Sequence, residues 1–312
     1  MRKGFLTSSK RFRLLNSVPL QAAHTSIYAF TNRTMATNGA ASTSSTSQPL
    51  KVLMLHGFTQ SGPVFYAKSR ALEKALCRSL PNTSFSYPTG PMPLRPTDIP
   101  GFELVTKNAK GDETEAYAWW RRSNTGPEYV GIQEGLAKIA ATIIEEGPFD
   151  GVVGFSQGGC AAGMVAALLE GKERVQGFER REKEGGLPYP SSFLKSTDSV
   201  ELIQPPLKFA IIYSGFAAPS ELYSGFYEPP ITTSMLHFIG SLDSVVDEAR
   251  SRKLIAACAG EEKVVVHPGG HFVPSQKAFL EAAVGFVLES TRGKQEKKAR
   301  EEERVEDMEV PF

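Results

Sequence analysis

The chain has 312 residues, of which 41% are hydrophobic and 22% are charged, and its formal net charge is +1. A chain of this length and composition can bury a sizeable core, and its near-neutral charge argues against nucleic acid as the main partner. No apolar run is long enough to span a membrane as a helix. The three cysteines, Cys77, Cys160 and Cys258, lack metal-ligand spacing, which predicts reduced core thiols in an intracellular protein.

The N-terminal segment differs from the rest of the chain in charge. Residues 1–34 contain Arg and Lys but neither Asp nor Glu, a composition typical of a mitochondrial presequence. The alternative is that Met35 is the working start, because a polar stretch follows it. In either case we expect residues 1–49 to lie outside the fold, with 36–49 as a linker. The predicted location is cytoplasmic, or mitochondrial if the segment is a presequence.

The first predicted strand, residues 51–55, is apolar and leads into His56-Gly57-Phe58. Helical periodicity follows over 63–80, with a proline in the first turn. A strand that ends in His-Gly-apolar before a helix is typical of a loop whose backbone N–H groups hold an oxyanion. We therefore expect the N–H of Phe58 to point at such a charge, with a plain strand-to-helix turn as the alternative.

A second predicted strand, 84–87, leads into a proline-rich loop that precedes both tryptophans of the chain. Four prolines within residues 88–96 argue against regular structure, and we expect the loop 88–101 to line a substrate pocket. Trp119 and Trp120 are adjacent in the region that follows. Such a pair fits either an apolar pocket wall or the packing of the core.

Residues 150–160 are the stretch around which the chain is organised. After an amphipathic helix predicted over 129–146, an apolar strand passes through Gly-Phe-Ser-Gln-Gly at 154–158 into an Ala-rich segment that reads as a buried helix. The pattern G-x-S-x-G in the order strand, turn, helix is the nucleophile elbow of α/β-hydrolases, which presents the hydroxyl of Ser156 on a strained turn. Glycines are expected there because side chains would collide where strand and helix cross.

The C-terminal half supplies the remaining predicted elements. Residues 172–206 are charged and without a period, so we expect an irregular excursion that forms a lid or a pocket wall. The elements after it are strands at 208–213, 235–239 and 263–266 and helices at 246–259 and 279–289. The folded domain is predicted to span 50–291, and 292–312 is predicted to be a charged tail without chemistry.

Strands that alternate with helices predict an α/β fold with a mainly parallel central sheet and helices on both faces. In such sheets the reactive groups gather at the carboxyl ends of the strands, and Ser156, Asp243 and His271 all follow strands. Their order is that of an α/β-hydrolase triad, with serine as nucleophile, histidine as base and aspartate to orient the imidazole. The N–H of Gln157 is expected to join that of Phe58 in holding the oxyanion.

Two of these assignments have rivals in the sequence. Asp247 could replace Asp243, but it is predicted to lie inside the following helix, whereas Asp243 lies in the loop directly after the strand. His267 could replace His271, but it adjoins its strand and precedes a proline. The glycines after that proline allow the loop to carry His271 back over the serine.

Several segments together resemble the fungal serine hydrolase (FSH) family of α/β-hydrolases, over about residues 50–290. They are 55–62, the Trp119-Trp120 pair, 154–159, Ser-Gly-Phe at 214–216, Gly-Ser-Leu-Asp at 240–243 and His-Pro-Gly-Gly-His at 267–271. The resemblance implies a Ser-His-Asp hydrolase with a short lid that acts on carboxylic esters or thioesters. It also carries the triad to Ser156, Asp243 and His271, and the oxyanion donors to Phe58 and Gln157.

We therefore expect a hydrolase without metal or cofactor that cleaves an ester or thioester of a hydrophobic acyl group through an acyl-serine intermediate. Its substrate would be a small molecule or an acyl chain on a carrier protein, because some relatives resemble thioesterases that release polyketides in secondary metabolism. Trp119, Trp120 and Phe216 are predicted to line the substrate pocket. The alternatives are a non-catalytic ligand-binding protein on the same fold and an amidase or peptidase.

Overall fold

A computed structural model describes residues 49–95, 116–196, 199–260 and 263–291. The predicted presequence, most of the linker, the second part of the proline-rich loop and the charged tail lie outside these residues and stay predictions. In the four described ranges no helix combines the length and the apolar character needed to cross a membrane.

The centre of the fold is a parallel sheet of six strands. The strands of the protein in chain order are β1 (Lys51–Leu55), β2 (Ser84–Ser86), β3 (Met92–Pro93), β4 (Tyr117–Ala118), β5 (Arg121–Arg122), β6 (Tyr129–Val130), β7 (Gly151–Phe155), β8 (Phe209–Tyr213), β9 (Met235–Gly240) and β10 (Lys263–His267). The sheet has the order β2-β1-β7-β8-β9-β10, while β3 pairs with β4 and β5 with β6 in antiparallel ribbons.

Helices cover both faces of the sheet, which confirms the predicted fold class. They are α1 (Gly62–Ser79), α2 (Ile132–Glu146), α3 (Gln157–Leu168), α4 (Lys172–Glu182), α5 (Glu248–Ala256) and α6 (Lys277–Thr291), with 3-10 turns at Ser191–Phe193 and Glu221–Phe226. Because successive side chains of a strand point to opposite faces, Leu53 and Ile212 join the core beneath α2 and α3. Their neighbours Val52 and Ile211 join the core beneath α1 and α6.

The strand order brings two loops together at one point. After β1 the chain moves to β2 on one side of the sheet, and after β7 it moves to β8 on the other side. In open α/β sheets the crevice at the carboxyl ends of the two strands where the order reverses is the usual ligand site. The loop after β1 contains Phe58 and the loop after β7 contains Ser156. The topology therefore places the predicted oxyanion loop beside the predicted nucleophile.

The interior helix α3 matches the prediction closely, whereas α4 was missed. All residues of α3 are buried, as expected of an Ala-rich helix that is apolar on every side. The stretch 172–206 was predicted to be irregular, but α4 occupies its first third. Val175 and Phe178 are the apolar residues on its buried face, and Arg174 beside them is also buried. A charged residue on the inner face hides the helical period, so the pattern did not reveal the helix.

Four smaller predictions are also wrong. Asp247 does not lie inside a helix, because its side chain caps α5 by accepting a hydrogen bond from the N–H of Arg250. Cys77 is exposed on α1 and is not a core thiol. The proline-rich loop contains β3, whose Pro93 is tolerated because the ribbon is only two residues long. The helix predicted from 129 starts at 132, after the short strand β6.

Candidate active site

Ser156 lies on a strained turn between β7 and α3, as the elbow pattern predicts. Its backbone has φ 56° and ψ −116°, in the left-handed region that a residue with a side chain rarely adopts. A Cβ atom at Gly154 would lie 2.1 Å from the carbonyl oxygen of Gly158, and one at Gly158 would lie 2.0 Å from that of Leu55. The glycines thus allow the turn to close against β1 as well as against its own helix.

Three side chains from different loops form a continuous hydrogen-bonded chain at this turn. Nε2 of His271 lies 2.9 Å from Oγ of Ser156, and Nδ1 of His271 lies 2.8 Å from Oδ2 of Asp243. An ionised carboxylate only accepts hydrogen bonds, so Nδ1 of the neutral imidazole bears the proton. That tautomer leaves Nε2 free to accept the proton of the serine hydroxyl.

The carboxylate of Asp243 is fixed on both oxygens. Oδ1 accepts hydrogen bonds from the backbone N–H groups of Val245 and Val246, each at 2.9 Å, while Oδ2 faces the imidazole. Burial raises the pKa of this carboxyl, but the hydrogen bonds from Val246 and His271 outweigh burial and hold the pKa below its usual value. Asp243 is therefore ionised at neutral pH and held in one orientation.

The imidazole of His271 packs against an aromatic ring and is partly exposed to solvent. The ring of Phe155, the residue between the first glycine and the serine of the elbow, lies 4.8 Å from the imidazole centroid. The side chain of His271 is 18% exposed, whereas that of Asp243 is 1% exposed. The imidazole therefore reaches solvent, whereas the carboxylate is shielded from it.

The structure also locates the two rival residues. His267 is buried at the end of β10 between the rings of Phe272 and Phe279, 5.1 and 5.8 Å away, and its Nε2 has no hydrogen-bond partner. Burial lowers the pKa of its imidazole, and Asp243 offsets part of that effect. Asp247 is occupied by the cap of α5. The geometry brings His271 and Asp243 to Ser156.

The predicted oxyanion loop is a tight turn with few degrees of freedom. The N–H of Gln60 donates to the carbonyl of Gly57 at 3.2 Å, and the N–H of Gly57 donates back to the side-chain oxygen of Gln60 at 3.3 Å. Thr59, the third residue of the turn, has φ 66°, the positive value that a type II turn requires. Phe58 lies at the second position of this turn. Its neighbour Gly57 lies against the elbow, since a Cβ atom at Gly57 would lie 3.3 Å from Cβ of Ser156.

His56, which the sequence reasoning did not assign a role, is fully buried behind this turn. Its Nδ1 lies 2.8 Å from the carbonyl oxygen of Gly57, and its Nε2 accepts a hydrogen bond from the N–H of Gly90 at 2.8 Å. Burial lowers the pKa of the imidazole to about 4, although the hydrogen bond with Gly57 raises it. His56 is therefore neutral, donates through Nδ1 and accepts through Nε2.

Trp119 and Trp120 are buried in the core, which favours the packing alternative over a solvent-facing pocket wall. The indole N–H of Trp119 donates to the carbonyl of His56 at 2.9 Å, and the indole ring stacks on the His56 ring at 4.9 Å. Trp120 stacks on Tyr129 at 5.5 Å. The backbone N–H of Trp119 and the backbone carbonyl of Trp120 are both hydrogen-bonded to the side chain of Gln157. Direct contact of either ring with substrate stays a prediction.

Phe216 lies three residues beyond the end of strand β8 and is 9% exposed. The guanidinium of Arg250 lies 4.2 Å above its ring, in a cation–π contact. The role of Phe216 as a pocket wall also stays a prediction. In the part of the chain that the structure describes, no three His, Cys, Asp or Glu side chains converge as a metal site.

The chain is similar in sequence to a known family of proteins. The profile of the family described as serine hydrolase (FSH1) matches residues 45–283, about three quarters of the chain. The chain belongs to this family. The predicted resemblance is thereby confirmed, and Ser156, Asp243 and His271 all lie within the matched residues.

Individual proteins add detail to the family match. The chain is 33% identical over 246 residues to "Dihydrofolate reductase" of Schizosaccharomyces pombe, covering 78% of this chain but 48% of that protein, so it spans about half the length of that relative. It is 29% identical to "Esterase OVCA2" of Danio rerio, over 77% of this chain and 96% of the relative. The crystal structure of Zea mays acyl-protein thioesterase 2 has the same fold, with a TM-score of 0.50 at 16% identity over 80% of this chain and 96% of that one.

Some residues of this site were not predicted, for a common reason. His56 and Phe155 stand inside the quoted motifs, next to residues that were assigned roles, and Gly90 stands in the proline-rich loop. A neighbour of a glycine in a tight turn is a reasonable candidate for support, but what it contacts depends on a loop 34 residues away. No local pattern gives that partner.

Proposed function

We propose that this FSH1 serine hydrolase cleaves a carboxylic ester or thioester of a hydrophobic acyl group through an acyl-Ser156 intermediate. One observation carries the proposal, the unbroken series of contacts from Asp243 through His271 to Ser156 at 2.8 and 2.9 Å. A serine hydroxyl is too weak an acid to attack a carbonyl at neutral pH unless a base in hydrogen-bond reach takes its proton.

In the first half of the reaction, Oγ of Ser156 bonds to the carbonyl carbon of the substrate while its proton moves to Nε2 of His271. The negative charge that develops on the carbonyl oxygen is held by the N–H groups of Phe58 and Gln157, and one such donor is typically worth about 3 kcal/mol. The carbon–oxygen or carbon–sulfur bond to the leaving group then breaks. The leaving alcohol or thiol takes the proton from the imidazolium.

In the second half, water replaces the leaving group and the same residues act again. His271 takes a proton from the water, whose oxygen bonds to the acyl carbon, and returns that proton to Oγ of Ser156 as the acyl–serine bond breaks. The products are a carboxylic acid and an alcohol or thiol, and the enzyme is regenerated. Asp243 stabilises the imidazolium in both halves without taking a proton itself.

A preference for a hydrophobic substrate is supported by exposed apolar side chains that neighbour Asp243 and His271 along the chain. Leu242 precedes Asp243 and is 72% exposed, and Phe272 follows His271 and is 43% exposed. Val245, on the same loop as Asp243, is 59% exposed. When an acyl or alkyl chain covers these side chains, apolar surface is removed from water, which favours binding.

The choice of ester over amide is supported by the Danio rerio relative, whose name is that of an esterase. A role in polyketide release, a carrier-protein partner and a place in secondary metabolism rest on the family resemblance alone. Thioesters belong to the proposal because the same addition and elimination steps apply to them, with a thiol as the leaving group.

The proposal is tested by incubating wild type and Ser156→Ala with a fluorophosphonate probe and weighing the intact proteins by mass spectrometry. We expect wild type to gain the mass of one phosphonyl group and the variant to gain none. Turnover of p-nitrophenyl esters from acetate to decanoate, beside the matching p-nitroanilides, measures both chain-length preference and the ester-to-amide ratio.

Ester turnover that survives Ser156→Ala in full would refute the proposal. A wild type that is neither labelled nor active, yet melts at higher temperature with an acyl ester present, would support the non-catalytic ligand-binding protein instead. Faster turnover of anilides than of esters would support the amidase alternative.

A further inference from the structure

We propose that Trp119 is a positioning residue that holds both oxyanion donors, the N–H groups of Phe58 and Gln157, in their working orientation. This inference rests on the proposed function, because it assigns Trp119 a task in holding the groups that would stabilise the oxyanion. Trp119 is fully buried, so its role does not depend on contact with substrate. It contacts the support of each donor through a different group.

The first link runs through the side chain of Gln157. Its Oε1 accepts a hydrogen bond from the backbone N–H of Trp119 at 2.9 Å, and its Nε2 donates to the carbonyl of Trp120 at 2.8 Å. Both ends of the amide are therefore fixed to one short segment. Gln157 is the first residue of α3, where a backbone N–H has no acceptor within the helix and is available to a ligand. Anchoring its side chain fixes the direction of that N–H.

The second link runs through His56 to Phe58. The N–H of Phe58 and the carbonyl of Gly57 belong to one planar peptide unit, so fixing the carbonyl fixes the N–H on the opposite side. That carbonyl accepts hydrogen bonds from Nδ1 of His56 at 2.8 Å and from the N–H of Gln60 at 3.2 Å. The His56 imidazole therefore controls the orientation of the Phe58 donor.

Trp119 in turn controls the imidazole of His56. Its indole ring stacks on the imidazole at 4.9 Å, and its indole N–H donates to the backbone carbonyl of His56 at 2.9 Å. The residue is thus fixed at the ring and at the main chain. No other amino acid combines a stacking ring of this size with an N–H at its edge. One residue therefore couples the loop after β1 to the start of α3, across separations of 63 and 38 residues along the chain.

The experiment compares Trp119→Phe with Tyr189→Phe, using p-nitrophenyl butyrate as substrate. Trp119→Phe keeps a ring for stacking and the backbone N–H for Gln157, but it removes the donor to His56. Tyr189→Phe is the matched control, because it also removes one aromatic donor to a backbone carbonyl, that of Leu168 at the far end of α3, 2.7 Å away. Both variants are expected to lose some thermal stability.

The readout is the affinity for 1,1,1-trifluoropentan-2-one, which carries the same propyl chain as the substrate and forms a tetrahedral adduct with an oxyanion. For Trp119→Phe we expect kcat to fall by about tenfold or more while KM changes by less than about threefold, because the donors act on the transition state. The inhibition constant of the ketone should rise by the factor by which kcat/KM falls. Tyr189→Phe should leave kcat, KM and the inhibition constant within about twofold of wild type.

Equal kinetic effects of Trp119→Phe and Tyr189→Phe would overturn the inference, and so would a loss confined to KM. If Trp119→Phe does not fold, Gln157→Met replaces it, because that change keeps the backbone N–H and removes only the anchored side chain. The same proportional loss of kcat/KM and ketone affinity supports the inference, and unchanged ketone affinity overturns it. A failure of the proposed function itself looks different, because wild type would then neither bind the ketone nor turn over the ester.

Discussion

Two buried carboxylates in this protein have nearly the same hydrogen-bond partners and, under the proposed function, different roles. In both Asp243 and Glu170, one oxygen accepts hydrogen bonds from two successive backbone N–H groups, and the other faces a nitrogen of a side chain. The backbone donors are Val245 and Val246 for Asp243 and Thr232 and Thr233 for Glu170. The side-chain partners are His271 at 2.8 Å and Arg174 at 2.7 Å.

The two sites differ in the side chain that faces the carboxylate and in the groups that this side chain contacts next. The guanidinium of Arg174 is completely buried and donates further to the carbonyls of Gly225 and Pro230, so it holds a loop against α3 and α4. Arginine stays protonated at neutral pH. His271 is partly exposed, can take up a proton, and lies against the hydroxyl of Ser156. A permanently charged guanidinium can hold a loop in place, whereas an imidazole beside a hydroxyl can accept and return a proton.

Among the changes that test this comparison, Asp243→Asn is expected to have the largest effect. The amide still accepts the hydrogen bonds of the two backbone N–H groups, but it no longer enforces the tautomer of His271 or stabilises the imidazolium. In a Ser-His-Asp triad this change lowers kcat by about 10⁴-fold. Turnover of p-nitrophenyl butyrate measures it, and thermal unfolding should show a midpoint close to that of wild type. A kcat within tenfold of wild type would contradict the assigned role.

Arg174→Met is expected to have the converse effect, on stability alone. Removing the cation leaves the carboxylate of Glu170 buried without its charge partner, and breaking a buried pair in this way costs about 3–5 kcal/mol. Urea unfolding measures this loss, and kcat per folded molecule should stay near the wild-type value. Arg180→Met on the exposed side of the same helix is the control, with an expected change below about 0.5 kcal/mol. Equal losses in the two variants would show that the buried pair contributes no more than a surface arginine.

A smaller effect is expected in the pH dependence of the free energy of unfolding, because buried histidines contribute to it. Burial lowers the pKa of both His56 and His237 to about 4, with Arg252 adding to the effect at His237. An unfolded imidazole has a pKa near 6.5, so between about pH 6.5 and pH 4 the unfolded chain binds protons that the folded protein does not. The free energy of unfolding should therefore keep its full value above about pH 6.5. As the pH falls below that, it should decrease by about 3 kcal/mol for each of these two histidines.

The measurement is urea unfolding at pH 7 and pH 4.5 for wild type and His237→Phe. The variant lacks one of the two imidazoles whose pKa is about 4, so it should lose less stability than wild type over this interval, by the share of one such histidine. His267 adds a loss of the same sign in both proteins, because burial lowers its pKa as well. An equal loss in both proteins would mean that His237 is protonated in the folded state or does not contribute. The carboxyl of Asp243, whose pKa is lowered, adds a further loss only at more acidic pH.

Local patterns predicted most of the fold. The strand, turn and helix around Ser156, the interior position of α3 and the parallel sheet follow from short-range periodicity and glycine placement, which each segment carries by itself. The order of Ser156, Asp243 and His271 was readable because the ends of parallel strands share one edge of the sheet. The helix α4 was not readable, because buried Arg174 interrupts its apolar face and its partner Glu170 lies outside the helix.

Only the tertiary structure decided which groups meet. Ser156 and His271 are 115 residues apart, and the sequence could not exclude His267, which is buried four residues earlier at the end of its strand. It also gave no sign that Trp119 would bond to both His56 and Gln157 inside the core. The periodicity of a segment records how often it faces the interior, but hydrogen bonds between distant segments depend on where the whole chain places them. The amino-acid sequence therefore determined the elements and the types of residue at the site, and the packing of the elements determined their partners.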